Sequence, residues 1–199
     1  MQIIRMNFDD FLARSDNTKD DLCAVTDHLP RIGWIAGGAV RRTLINKSID
    51  SDYDYFFKSE EDFNKFEEML PSSLKLVNET SHHKHWRGTV GDSDLKVNVQ
   101  GIKFKFYDTV EDCINSFDYT ITMFALDGDD LVTTPEALWD LGRRKLVINK
   151  ITYPVATMRR MLKYSKQGFT ACSGCMASLY RETAASPEAL AQLDIEYVD

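Results

Sequence analysis

Apolar and polar positions change period several times along the chain, and each change marks an element. Phe8 to Ala13 predicts a short helix. Lys19 to Leu29 predicts a second, with Leu22, Val25 and Leu29 on one stripe, Asp20 and Asp21 in the first turn, and Pro30 ending it. The apolar run Ile32 to Ala36 reads as a strand that meets a Gly37-Gly38 turn and a helical turn or two from Ala39 to Ile45. A second strand starts in carboxylates and ends in aromatics: Asp52, Tyr53, Asp54, Tyr55, Phe56, Phe57. Ser59 is placed to cap a helix over Glu60 to Leu70 with Phe63, Phe66 and Leu70 facing the core, and Pro71 closes it. Three candidate strands follow at Leu74 to Asn78, Lys84 to Val90 and Leu95 to Ile102, the last two joined in a hairpin by Gly91-Asp92-Ser93-Asp94. In the third, Leu95, Val97 and Val99 face one way and Lys96, Asn98 and Gln100 the other.

Beyond this point the pattern turns helical. Thr109 to Ser116 is a short helix, and Thr134 with Pro135 starts another through Leu141. Leu146 to Ile148 reads as a short strand. Pro154 opens a basic helix to Gln167 that Gly168 stops, and Ser173 to Glu182 and Pro187 to Leu193 read as closing helices. The order predicts an α/β (α+β) fold, mixed α/β for about the first 130 residues and mostly helical after that. A soft boundary near Lys150 separates residues 1–150, the candidate catalytic domain, from a helical segment, residues 151–199, packed on it.

Composition narrows the class. The 199 residues are 43% hydrophobic and 28% charged, ordinary for a globular protein, and long enough to bury a core without staples. No apolar run reaches the length of a membrane span, and Met1 to Asn17 lacks the apolar centre of a signal peptide. The four cysteines, Cys23, Cys113, Cys172 and Cys175, are therefore expected as reduced thiols in the cytoplasm. A formal charge of −7 disfavours a general nucleic-acid coat protein. Yet Asp140 to Thr170 carries eight Lys or Arg against one acid, so a local basic surface is expected there.

The chemistry concentrates at Trp34 to Phe57. Asp52 and Asp54 are two apart on a strand, so both carboxylates project from one face. Oxygen ligands of this kind suit Mg²⁺ or Mn²⁺. Gly37 and Gly38 offer a turn whose backbone amides can approach phosphate oxygens at a helix start, with Arg41 and Arg42 one turn further on. Such parts suit nucleotidyl transfer, in which metal sits between an attacking hydroxyl and a phosphate chain.

Four stretches in order resemble the head of the class II tRNA nucleotidyltransferase and bacterial poly(A) polymerase family, within the polymerase-β-like nucleotidyltransferase superfamily. They are GGAVRRTL with SDYDYFF; DYTITMFAL from Asp118; ALWDLGRRKL; and YPVATMRRMLKYSKQGF from Tyr153, similar to the family's neck helix. Together they span Gly37 to Phe169, and small stand-alone members of phage type are the nearest in pattern. The resemblance implies a nucleotidyltransferase-type mixed sheet flanked by helices. It further implies Asp52 and Asp54 as metal ligands, Gly37, Gly38 and Arg41 at the triphosphate, Asp118 and Thr120 near the sugar, and Arg159 near phosphate or the site wall; Arg42 is a nucleotide-binding candidate from its place on the helix alone. Its activity would be Mg²⁺- or Mn²⁺-dependent transfer of NMP from an NTP such as ATP to an acceptor hydroxyl on an RNA end, a small molecule or a protein. Asp50, two before Asp52, competes for the first ligand position; the aromatic continuation favours the later pair.

The chain also departs from the family pattern. Arg42 replaces an acid, Ser116 and Phe117 replace arginines, Glu136 and Ala137 replace a Gly-Gly pair, and no base-reading motif follows in the neck. The outward positions where a third carboxylate is expected are Lys96, Asn98 and Gln100, so either Asp118 supplies that group or the site has two acids. A catalytically lapsed nucleotide- or RNA-binding module is the alternative reading, and a purely structural interaction protein the third. Cys172 and Cys175 have zinc-knuckle spacing, with His82, His83 and His85 as possible further ligands, against the plainer reading of small residues packed at a helix start. Trp86 and Trp139 are expected in the core.

Overall fold

The computed structural model describes residues 1–12, 18–45, 47, 52–91 and 95–185. They form two compact units, Met1–Asn115 with Thr122–Pro135, and Ser116–Ile121 with Glu136–Asp199. The changes of unit fall ahead of the soft boundary near Lys150. The expected closing helix Pro187 to Leu193, the turn at Asp92 to Asp94 and Asp50 lie outside the described residues.

The first unit is built on a mixed sheet of eight described strands, β1 (Ile4–Asn7), β2 (Trp34–Ala36), β3 (Tyr53–Phe56), β4 (Lys75–Glu79), β5 (His83–Val90), β6 (Leu95–Ile102), β7 (Ala125–Asp127) and β8 (Asp130–Thr133). Their order is β1-β8-β7-β2-β3-β6-β5-β4. Only β3 and β6 run parallel; every other neighbouring pair is antiparallel. Two elements are not anticipated from the sequence, and one expectation is corrected. β1 is a strand where the sequence reading assigns none, because its four residues only pair once β8 is beside them. The segment from Ala125 to Thr133 is a β-hairpin turning at Gly128, which has φ 62°. Trp139 is 66% exposed, with the Arg143 guanidinium 5.4 Å over its ring, rather than in the core.

Helices α1 (Phe8–Leu12), α2 (Thr18–His28), α3 (Gly38–Leu44), α4 (Glu60–Glu68) and α5 (Val110–Asn115) complete this unit. The aromatic run predicted for the aspartate strand is the seat of α4. Tyr55 and Phe57 pack on Phe66 at 4.5 and 5.2 Å between ring centroids, Phe63 lies edge-on to Phe57 at 5.3 Å, and Trp86 closes the cluster. Each fully buried aromatic ring contributes about 1.5–3 kcal/mol by leaving water. Ser59 caps α4 as predicted, its hydroxyl accepting the Asp62 amide at 3.1 Å. Leu22, Val25 and Leu29 are buried, as the stripe on α2 requires.

The second unit holds a 3₁₀ turn (Thr120–Thr122), which it shares with the first, most of α6 (Pro135–Gly142), β9 (Lys145–Leu146), α7 (Pro154–Lys166), β10 (Thr170–Ala171) and α8 (Ser173–Ala184). β9 and β10 pair in parallel, and Gly168 takes φ 89° where α7 ends. No helix among the described residues is long and apolar enough to cross a membrane.

Candidate active site

Strand β3 lies between β2 and β6, and this places the candidate chemistry. β2 pairs with β3 through Trp34↔Phe56 and Ile35↔Tyr55. Continued by one residue, that register sets Ala36 level with Asp54, so the chain leaves β2 into Gly37-Gly38 beside the aspartates. Gly37 has φ 83° and ψ −118°, a backbone that an L side chain strains to adopt, and its amide donates to Phe124 O at 2.8 Å. Glycine is therefore required here for the turn itself. The helix it starts, α3, is only seven residues long. Arg41 on α3 is 2% exposed, folded into the unit rather than presented to solvent, while Arg42 is half-buried.

On its other side β3 runs parallel to β6, with Asp54 opposite Gln100. Gln100 in turn pairs with His85 on β5, and Asn98 with Arg87. Cross-strand partners share a face, so Asp54, Gln100 and His85 line one row of the face opposite α4. Asp52, just before the strand, joins them: Gln100 Nε2 donates to Asp52 Oδ2 at 2.6 Å, and His85 Nε2 stands 3.8 Å from Asp52 Oδ1. The His85 Nε2 atom is buried and makes no hydrogen bond. The Asp52 side chain is 36% exposed, open enough to meet a ligand. Sequence alternation predicts Gln100 on the outward face, and His85 enters the sequence reading as a possible zinc ligand. Only the β3–β6–β5 register shows that both converge on Asp52.

Among the described residues no three His, Cys, Asp or Glu side chains form a ready-made metal cluster. Among the described residues the acids at the site are the Asp52 and Asp54 pair, with amides at Gln100 and Asn98 where a third carboxylate is expected. A cavity of about 330 Å³ opens at the other end of β2, lined among others by Arg31, Trp34, Lys58 and Asp127. It reaches neither aspartate, and we place the candidate site by its donor groups instead.

In the second unit, Asp118 is buried and its Oδ2 accepts from Arg160 Nη1 at 2.7 Å. Thr120 donates its hydroxyl to Asp140 Oδ2 at 2.8 Å, and the Asp118 carbonyl accepts the Asn149 amide at 2.8 Å. These motif residues therefore knit α6, α7 and the segment before β7 together. Arg159, the arginine singled out from sequence, is exposed; its neighbour Arg160 holds the aspartate.

The chain has recognisable relatives. The family model described as Gabija anti-defense 2 family protein matches residues 2–144. Gabija anti-defense 2 of Bacillus phage SPbetaL7 is 32% identical over 139 residues, covering 68% of this chain and 33% of the relative. The chain thus spans about a third of that relative's length. Among solved structures, the Thermotoga maritima CCA-adding enzyme complexed with tRNA matches 97% of this chain and 48% of its own, with TM-score 0.60 and 16% identity. A CCA-adding enzyme in complex with CTP matches 96% and 49%, with TM-score 0.62 and 15% identity. At such identities the likeness is one of fold, the mixed α/β head expected from the sequence. By the extent of the family match, the chain belongs to the Gabija anti-defense 2 family.

Proposed function

We propose that this chain is a metal-dependent nucleotidyltransferase that moves NMP from an NTP to an acceptor hydroxyl and releases diphosphate, in the service of the anti-defence role its family name states. The observation that carries this reading is the pairing of Asp52 and Asp54 on one face, beside a positive-φ glycine turn, in a fold shared with CCA-adding enzymes. The donor set fits magnesium or manganese. Both ligands are carboxylates, and Mg²⁺ commonly binds one or two carboxylates and completes its shell with water and substrate phosphates. A two-acid site without a preformed protein cage is consistent with that habit.

In this reading Asp52 and Asp54 hold the ion, and Gln100 fixes the orientation of Asp52 through its 2.6 Å bond. Gly37 and Gly38, lacking Cβ atoms, let phosphate oxygens approach the backbone, and Arg42 stands on the helix that follows. When bound, the ion supplies charge neutralisation to the phosphate chain and favours the attacking alkoxide. A rigid strand edge supplies preorganisation, since the carboxylates need not be gathered at the moment of reaction. The sugar and phosphate contacts implied for Asp118, Thr120 and Arg159, and a structural part for the buried Arg41, belong to the same proposal. RNA is one acceptor class, supported by the basic run from Arg143 to Lys166.

The test is incubation with each labelled NTP, Mg²⁺ or Mn²⁺, and RNA or lysate from host cells. Label transfer is expected, reduced at least about a hundredfold by Asp52→Ala with Asp54→Ala. Transfer that survives the double substitution rejects the metal site. In cells carrying Gabija defence, the wild-type protein is expected to restore phage plating and the double variant to fail.

The amides at Gln100 and Asn98 favour a second reading, a lapsed member that binds nucleotide without turning it over. That reading requires stabilisation by NTP with Mg²⁺ and no label transfer to any acceptor; a single observed turnover eliminates it.

A further inference from the structure

The second unit contains a pair of thiols that nucleotide transfer does not use. Cys172 is the N-cap residue of α8 and Cys175 lies in its first turn. The Cys172 Sγ accepts the Cys175 amide at 3.4 Å, so the two side chains rise from the same turn. Their settings differ. Cys172 is exposed, whereas Cys175, three residues on, is buried at 7% exposure. Gly174 between them carries no side chain to cover the exposed sulfur; a Cβ added there would come within 3.7 Å of it.

The pair stands apart from the zinc pattern its spacing suggests. Structural zinc takes four ligands, and among the described residues no three His, Cys, Asp or Glu side chains gather here or elsewhere. An exposed thiol with a second, buried thiol in the same helical turn suits disulfide exchange.

We propose that Cys172 and Cys175 form a redox-active dithiol, oxidised by low-molecular-weight disulfides to an intramolecular Cys172–Cys175 bond. The Cys172 thiolate attacks one sulfur of the small disulfide RSSR, forming a mixed disulfide and expelling one RS⁻, which takes up a proton. The Cys175 thiol then gives its proton to solvent, and its sulfur attacks Cys172 Sγ. The mixed bond breaks and the second RS⁻ leaves. In balance, the protein gives up two electrons and two protons and RSSR becomes two RSH.

The local electrostatics agree with this order of attack. Hydrogen bonds from the Cys175 and Gly174 amides hold the Cys172 thiol below the usual thiol range, and Lys145 on β9 adds to the effect. Burial and the neighbouring Cys172 push the Cys175 thiol the other way, which suits the resolving partner. Cys113 is buried with its thiol raised by desolvation, and serves as an internal control.

The experiment exposes the whole protein to glutathione disulfide at neutral pH, followed by acid quench, alkylation of remaining thiols and peptide mass mapping. The expected product has one Cys172–Cys175 bond, with Cys113 alkylated only after unfolding. In reduced protein, Cys172 should alkylate at least about tenfold faster than Cys113. Cys175→Ser should accumulate a stable glutathione adduct on Cys172, and Cys172→Ser should leave Cys175 unmodified. The proposal is overturned if both thiols stay free under glutathione disulfide. It is equally overturned if the unsubstituted protein stops at a glutathione adduct on Cys172, or if the pair is found holding zinc.

Discussion

At the scale of single residues, the contact that most shapes the site is the bond from Gln100 to Asp52. It puts an amide where a carboxylate would raise the charge of the site, and ligand charge is a main determinant of divalent-ion affinity. Gln100→Glu is therefore expected to tighten Mn²⁺ binding by about tenfold in a calorimetric titration. Unchanged affinity would mean that no ion sits beside Asp52. A second residue-scale test separates two neighbouring arginines. Arg160 holds the buried Asp118, and its loss leaves that carboxylate without its cation. Because Arg160 is itself half-exposed, the expected cost of Arg160→Ala is about 1–2 kcal/mol in urea unfolding, below that of a fully buried pair. Arg159→Ala, on an exposed side chain, should stay within about 0.5 kcal/mol. Equal effects would show that the Asp118–Arg160 contact contributes nothing to stability.

At the scale of elements, the parallel β3–β6 pair with α4 above it sets the precision of the site. Gly101 is opposite Tyr55 in that pair, directly under the α4 aromatics. A Cβ there would fall 2.9 Å from Phe63 and 3.0 Å from Trp86, side chains already packed against one another. Gly101→Ala should cost about 1–3 kcal/mol through overpacking. Phe66→Ala, which opens a cavity in the same layer, should cost about 3–5 kcal/mol. Denaturant midpoints measure both. Gly101→Ala should also lower transfer activity, since Gly101 is bonded next to Gln100; full activity would show that the site tolerates movement of β6.

At the scale of the whole molecule, the net charge is −7, yet eight of the 24 Lys and Arg fall between Arg143 and Lys166 with no acid among them, so the proposed RNA acceptor is expected to bind through that segment. Oligonucleotide affinity, measured by fluorescence anisotropy, is expected to fall at least about tenfold between about 50 and about 200 mM salt. Lys163→Gln with Lys166→Gln should reduce the salt slope by about two. Binding indifferent to salt would remove RNA from the acceptor classes. Much of the architecture that supports these predictions was legible locally. The stripe on α2, the Ser59 cap, the Gly37-Gly38 turn, the Gly168 stop and the shared face of Asp52 and Asp54 each follow from residues a few positions apart, where period and capping chemistry act within the sequence window. Strand order, register and pair choice were not legible in that way, because they arise from contacts between distant segments whose energy no local pattern contains. Tertiary structure alone drew Ile4–Asn7 into the sheet beside β8, turned Trp139 outward, and paired Arg160 with Asp118. It also brought Gln100 and His85 to Asp52, through one parallel pairing between strands more than forty residues apart. The sequence by itself determined which residues are candidates for the proposed chemistry, because residue type and spacing are local, and the long-range register decided what surrounds them.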